Sequence, residues 1–422
     1  MDRDKDRASK RSIYFDNAST SSPKAEGLGQ VIAAYFEAGG YNIGRGHYPG
    51  AEETALGVLG ARKSLARYFN FPNFRNVIFT NNITHSLNLV LKGLLRPGDE
   101  VITSSVEHNA VMRPLYQLAT KGVKLQVADC QETGQLDPAR VEALISPQTR
   151  ALVFTGASNV SGTALPLVDL GEIARRRGIF YVIDAAQIAG HLPLDTQAFQ
   201  ADAFCFTGHK GLKGPQGIGG VLLSDELASV MDPLIAGGTG SFSDSEEMPP
   251  HLPDRFEAGT LNLPGILGLG YAVNLLLKQE DPFASYEHEM QLTQAFLQGV
   301  EDTWPLDQVK ALGLGLEACQ ASLDLLGQAR RAGLAKLREL PPRFPVVSLD
   351  FLSQDNAEIA FALENDYGIM TRTGLHCAPR AHQTFGSFPE ASVRFSFGPK
   401  NTQEEVEYCL QALQKICPCQ AI

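Results

Sequence analysis

The chain has 422 residues, 47 of them acidic and 36 basic, for a formal net charge of −11. That balance argues against nucleic acid or an anionic membrane as the main partner, because phosphate binding needs clustered lysine and arginine. Hydrophobic residues make up 44%, enough for a sizeable core. The seven scattered cysteines do not read as a disulfide framework.

In chain order, residues 1–11 are charged and lack the apolar centre of a secretory signal. The expectation is a frayed tail on a cytoplasmic protein with reduced thiols. The longest apolar stretch, 265–277, is glycine-rich and too short to span a bilayer. From 75 to 225, short apolar runs at 77–80, 101–103, 123–127, 151–155, 179–183, 203–206 and 221–223 read as strands, with helices such as 86–95, 138–145 and 167–177 between them. This alternation predicts an α/β fold with a mostly parallel seven-stranded sheet covered on both faces. Residues 226–262, rich in Gly, Pro, Ser and acids, read as a long functional or shared loop. A helical region over 264–340 follows. After it come a strand at 345–351, a helix at 356–365, a strand at 369–372, a loop, a strand at 392–397 and a last helix at 403–416, together a small α+β domain. The expected division is an N-terminal segment 1–25 packing with the small domain, a large domain 26–285 and a small C-terminal domain 286–422.

Thr207-Gly208-His209-Lys210 follows a buried-type strand and precedes a glycine-rich run. A lysine at such a strand end can be partly desolvated, which lowers its pKa and suits it to imine formation. The glycines let backbone approach a ligand closely. The alternative is a solvated lysine on a surface loop. Asp184, in Ile183-Asp184-Ala185-Ala186-Gln187, ends the preceding strand. It and Lys210 are one helix and one strand apart, which brings both to the sheet edge where α/β folds bind ligands; Asp184 could equally cap the next helix. In Phe79-Thr80-Asn81-Asn82-Ile83-Thr84, a strand gives way to a helix start. Its N–H groups, Ile83 included, and the Thr84 hydroxyl could hold a phosphate or simply cap the helix. His108, in Ser105-Val106-Glu107-His108-Asn109, lies just past a strand end and could stack on a ring and move protons, or be an ordinary buried histidine. Asn159 occupies a similar position.

Thr84, His108, Asn159, Asp184, Gln187 and Lys210 thus follow the ends of successive strands. In this the chain resembles the class V aminotransferase family of fold-type I pyridoxal-5′-phosphate (PLP) enzymes and, within it, the cysteine desulfurases. The similarity runs from Phe15-Asp16-Asn17-Ala18 to Val393-Arg394-Phe395. It includes Asn42-Ile43-Gly44-Arg45-Gly46-His47, Arg255-Phe256-Glu257-Ala258-Gly259-Thr260 and Arg372-Thr373-Gly374-Leu375-His376-Cys377-Ala378-Pro379. The resemblance implies Lys210 as the Schiff-base lysine, which also moves the substrate α-proton. It implies His108 as the ring-stacking acid/base, Asp184 on the pyridine nitrogen and Gln187 on the phenolic oxygen. Ile83, Thr84, Thr207 and His209 would surround the phosphate. Thr260 would reach the phosphate of a neighbouring subunit, so a homodimer with composite sites is implied. Arg394 would clamp the substrate carboxylate, with Asn159 and Arg372 near. No metal is implied.

Cys377 decides the reaction, because a desulfurase needs a thiolate to attack the substrate's sulfur. His376 and Arg372 beside it would lower its pKa. RTGLHCAP is similar to the active-site loop of group II, SUF-like members, and it is short. A short loop restrains the thiol, so an acceptor protein or small thiol is expected to collect the sulfur. The alternatives are selenocysteine lyase activity, another class V reaction such as transamination or β-lyase cleavage in which Cys377 is dispensable, and a weak sulfur-carrier scaffold. The chain departs from the pattern at Leu375, where SUF-type enzymes usually carry a second histidine, at Arg380 and His382, in the long acidic loop 237–253, and over 304–339. Cys417-Pro418-Cys419 makes at best half a zinc site.

Overall fold

The computed structural model describes residues 12–44, 46–241 and 244–419. The tail 1–11 and Arg45 of the Asn42–His47 motif lie outside the described residues. The described chain opens with a two-residue strand, β1 (Ile13–Tyr14), and then builds the large sheet from β2 (Val77–Thr80), β3 (Glu100–Ser104), β4 (Lys124–Ala128), β5 (Thr149–Thr155), β6 (Phe180–Asp184), β7 (Ala203–Thr207) and β8 (Gly219–Leu223). The order across the sheet is β2-β8-β7-β6-β5-β3-β4. Only β8 runs against the others, pairing antiparallel with β2 and β7. Strands such as FYVID and AFCFT are buried on both faces, as parallel strands between helical layers must be. At the edge, β4 begins with an exposed lysine, which discourages further pairing. The strand pattern expected from sequence is found, with ends shifted by a residue or two.

The helix Leu167–Arg177 stops at Gly178, whose φ of 64° only glycine adopts cheaply. The segment 226–262 differs from expectation at its start, where Ser224 caps a short helix, Asp225–Val230. The helical region after 264 also differs. It contains the helices Leu263–Leu277, Ala284–Thr303 and Leu316–Arg331, with a strand, β9 (Val309–Leu312), between the last two.

The strand expected at 369–372 is split in two. After β10 (Val346–Phe351), β11 (Ile369–Met370) turns to pair parallel with β1, while β12 (Arg372–Gly374) pairs antiparallel with β13 (Ser392–Ser396). The small sheet therefore has four strands, ordered β12-β13-β10-β9. A two-turn helix, Pro379–Phe385, stands where a plain loop was expected. The last helix, Gln403–Ile416, opens with a full capping box between Thr402 and Glu405. Beside it, Cys417 is buried with Sγ donating to Gln354 Oε1 at 2.9 Å, while Cys419 is exposed. The two sheets are joined by Arg343, fully buried, which donates to the carbonyls of Leu314, Ser161 and Val346. Among the described residues, no helix is long and apolar enough to cross a membrane.

Candidate active site

The parallel strands deliver the site residues to one edge. Asp184 ends β6 and Thr207 ends β7; Asp184 lies opposite Thr155 on one side and Cys205 on the other. His108 and Asn159 follow the ends of β3 and β5. The turn carrying Lys210 is held against the segment after Asp184 by an approach only glycines permit. A Cβ on Gly190, whose φ is +94°, would lie 2.1 Å from the Gly211 carbonyl carbon. These glycines bring backbone to backbone and so fix Lys210.

Lys210 is partly buried, and its pKa is pushed down to about 8. Burial is the main cause; Arg394 and Arg372 add to it, and Asp184 and Asp16 oppose it. Asp184 is buried, and desolvation raises its pKa against the pull of the Ala186 N–H, donated to Oδ1 at 2.9 Å, and of Lys210. Burial, then the charges of Lys210, Arg394 and Arg113, push His108 down to about 4. Its Nδ1 accepts the Ala110 N–H at 2.9 Å, capping the helix Asn109–Ala119, so the neutral ring carries its proton on Nε2. His209 is likewise pushed to about 4, by burial and the charges of Lys210 and Lys24, and its ring lies 3.1 Å from the Thr20 hydroxyl.

Thr84 is exposed in the first turn of the helix Ile83–Leu94, which Asn82 caps. Gln187 is buried and donates to the Ala18 carbonyl at 3.1 Å. Thr260 is exposed and lines a cavity of about 180 Å³ with Thr80, Asn81 and His85. The loop before it is anchored by a buried ion pair: Arg62 Nη1 reaches Glu257 Oε1 at 2.9 Å while its guanidinium covers the Phe79 ring. Thr207 Oγ1, Asn159 Oδ1 and Arg394 Nε are among the buried polar atoms of the described residues that have no protein partner. Buried polar groups are rarely left so; a polar ligand would complete them.

Cys377 is exposed on the turn after β12, and its φ of 56° and that of His376, 49°, both lie in the left-handed region. Two bonds fasten this turn to the large sheet. Asn159 Nδ2 donates to the His376 carbonyl at 2.8 Å, and the Asn109 N–H to the Cys377 carbonyl at 2.8 Å. His376 itself is buried and held well below the usual histidine range by desolvation, then by Arg394, His382 and Arg372. It is therefore neutral, so of the two expected neighbours of Cys377 only Arg372 is positively charged.

Two acids in this region gave no signal of their own in the sequence. Glu107, beside His108, is completely buried; its Oε1 accepts from Ser104 Oγ at 2.6 Å and the Thr155 N–H at 3.0 Å, and its pKa is raised to about 8, chiefly by burial. Asp16 bridges Arg372 and Arg394. The Phe15–Ala18 motif marks its neighbourhood but not this contact.

The strand order, a buried aspartate and a partly buried lysine at the strand ends and a joined small domain define a fold-type I α/β scaffold. The chain belongs to the class V aminotransferase family: the sequence model of Aminotransferase class-V matches residues 13–322 and 314–409. Among individual relatives, a probable cysteine desulfurase of Methanothermobacter thermautotrophicus is 30% identical over 413 residues, 96% of this chain and 94% of its own. A cysteine desulfurase of Klebsiella pneumoniae is 32% identical over 414 residues, 96% of this chain and 93% of its own. The apo structure of a cysteine desulfurase from Thermococcus onnurineus matches with a TM-score of 0.83 at 28% identity, covering 96% of this chain and 94% of that one.

Proposed function

We propose that this protein is a PLP-dependent cysteine desulfurase that converts L-cysteine to L-alanine and takes the sulfur as a persulfide on Cys377. The observation that carries the reading is the pairing of a partly buried lysine of lowered basicity, Lys210, with an exposed Cys377 whose backbone is tied to the same strand ends. The donor set fits the cofactor: Lys210 for its aldehyde, buried Asp184 for its ring nitrogen, Gln187 for its phenolic oxygen, and the unpartnered Thr207 hydroxyl with His209 and the helix start at Ile83 and Thr84 for its phosphate. Bound there, PLP supplies an electron sink for the charge left on the substrate α-carbon.

The chain's own residues do the rest. Arg394, through its free Nε, and Asn159 hold the substrate carboxylate. Lys210 takes the α-proton, for which a base of pKa near 8 is suited. His108 stacks on the ring with Nε2–H free to donate. Cys377 Sγ, as thiolate, attacks the substrate sulfur. The new S–S bond forms as the Cβ–S bond breaks, its electron pair goes to carbon, and protonation there gives alanine. Because the Cys377 turn is anchored, the persulfide does not travel; an acceptor protein or small thiol comes to it. Thr260 from a second copy completes the phosphate site in a homodimer.

A single turnover with sulfur-labelled L-cysteine followed by peptide mass analysis tests the reading. One added sulfur atom on the peptide holding Cys377, with one alanine released, is expected. Alanine without labelled Cys377 would assign the sulfur to direct release, as in a selenocysteine lyase or β-lyase.

A further inference from the structure

A second cavity, of about 790 Å³, borders the segment that packs on the turn carrying Lys210: Gly190 and His191 line it. Its volume falls in the range of about 300–1,000 Å³ that small-molecule sites occupy. None of the residues assigned to the cofactor lines it, so it is separate from the candidate active site. Phe71, Phe283, Leu276, Leu277 and Leu334 give it apolar walls.

Three polar groups are placed among those walls. Tyr68 ends the helix Pro49–Tyr68, is 4% exposed and lines the cavity. Among the described residues nothing hydrogen-bonds its hydroxyl, and burial pushes its pKa up, so it remains a donor. A buried donor of this kind calls for an acceptor. His191 holds Glu289 Oε2 at 2.9 Å through Nδ1, which leaves Nε2 as the ring's free nitrogen. Lys336 Nζ donates to the Arg67 carbonyl. Burial lowers the basicity of Lys336; Asp195 opposes this and Arg67 adds to it. Asp195 is outside the lining and accepts from Asn70 Nδ2 at 2.8 Å. On the opposite wall, Arg330 donates to Asp281 Oδ2 at 2.7 Å and Glu287 Oε1 at 2.8 Å, so these charges are taken up by one another. Two cations, Arg67 and Lys336, then face one acid of the lining, the exposed Glu280, and leave one positive charge over.

The cavity also touches the catalytic turn. A Cβ on Gly211 would lie 3.1 Å from His191 Cδ2, so the ring rests against the residue after Lys210. Lys213, with φ of 56°, closes that turn by donating its N–H to the Lys210 carbonyl at 2.8 Å. Burial lowers the basicity of Lys213, and the carboxylate that holds His191, Glu289, works against this. Whatever seats on His191 therefore bears on both ends of the turn.

We propose that this cavity binds a small organic anion with an apolar, ring-sized body, its anionic group toward Tyr68 and Lys336, and that the occupant braces the turn carrying Lys210. The site goes beyond the desulfurase reading and does not depend on it.

The test uses the PLP-loaded full chain. The probes are 2-naphthoate and its neutral counterpart 2-naphthylmethanol, measured by calorimetry with L-alanine present to fill the active site. One 2-naphthoate per chain is expected, bound at least about tenfold more tightly than the alcohol. Tyr68→Phe and Lys336→Gln should each weaken it about fivefold or more. Leu334→Trp, a change at a partly exposed wall residue, should block it by filling the space. Saturation should slow hydrogen exchange at the Lys213 amide about threefold or more. No saturable binding overturns the proposal, and needs no variant to fold. So does equal affinity for the alcohol, displacement of 2-naphthoate by L-alanine, or binding that Tyr68→Phe and Leu334→Trp leave unchanged, since each puts the probe elsewhere. Saturation with unchanged exchange at Lys213 overturns the bracing of the turn.

Discussion

Among the described residues, Ser104 and the Thr155 N–H are the hydrogen-bond donors to the Glu107 carboxyl, and Oε2 is left without a partner. Its folded pKa, about 8, lies above the ordinary 4.5. Unfolding therefore releases a proton between those two values, and stability falls as pH rises through that window, a cost complete above about pH 8. Glu107→Gln removes this titration, so its stability relative to wild type should rise by roughly 2–5 kcal/mol between pH 4 and pH 8 in urea melts. A gap independent of pH would show Glu107 to be ionised in the fold. Lys210 gives a second pH signature. Its neutral amine appears as pH rises through about 8 rather than 10.5. In cofactor-free protein, its acylation followed by peptide mass analysis should reach half its maximal rate near pH 8, while surface lysines keep rising to higher pH. Lys210, Asp184 and His108 were legible because a charged residue after a continuous apolar run has few reasons to be there. Asp16 was not, because its partners, Arg372 and Arg394, are more than 350 positions away in sequence and only the fold brings them together.

At the scale of elements, the turn carrying Cys377 is the informative one. Two consecutive non-glycine residues with positive φ cost on the order of 1–2 kcal/mol each and persist only where surroundings fix them. The fixing bonds come from Asn159 and Asn109. Asn159→Ala removes one and should raise hydrogen exchange at the Ala378 amide about tenfold or more, with loss of L-cysteine turnover. Unchanged exchange would mean that the Asn109 bond and the helix Pro379–Phe385 hold the turn without Asn159. The elements misread from sequence share a physical cause. Val309–Leu312 has apolar ends around Lys310 and Ala311, a pattern that suits a helix as well as a strand, and only pairing with β10 decides it. The run 369–372 reads as one strand, but residues 369–370 and 372–374 satisfy their backbones on different partners, β1 and β13. By contrast, 167–177 and 403–416 were legible to the residue because each carries its own cap or stop signal, Gly178 and Thr402.

For the whole molecule, the N-terminal segment is a tie rather than an appendage. β1 pairs with β11, Asp16 meets both arginines, and Lys24 donates to the His209 carbonyl at 2.6 Å, one residue before Lys210. Phe36, Tyr41, Tyr48, Leu56 and Ile235 are exposed apolar side chains, and Ile235 lines the same cavity as Thr260; burial of such surface by a second copy agrees with the proposed composite site. Sedimentation is therefore expected to give twice the 45.6 kDa of one chain; a monomer with full activity would remove Thr260 from the site. The most direct test of the central claim compares wild type with Cys377→Ala, both loaded with PLP, for alanine formed from L-cysteine. The account predicts loss of alanine formation with the cofactor's absorption band retained; equal turnover by both proteins would contradict it and make Cys377 a structural residue.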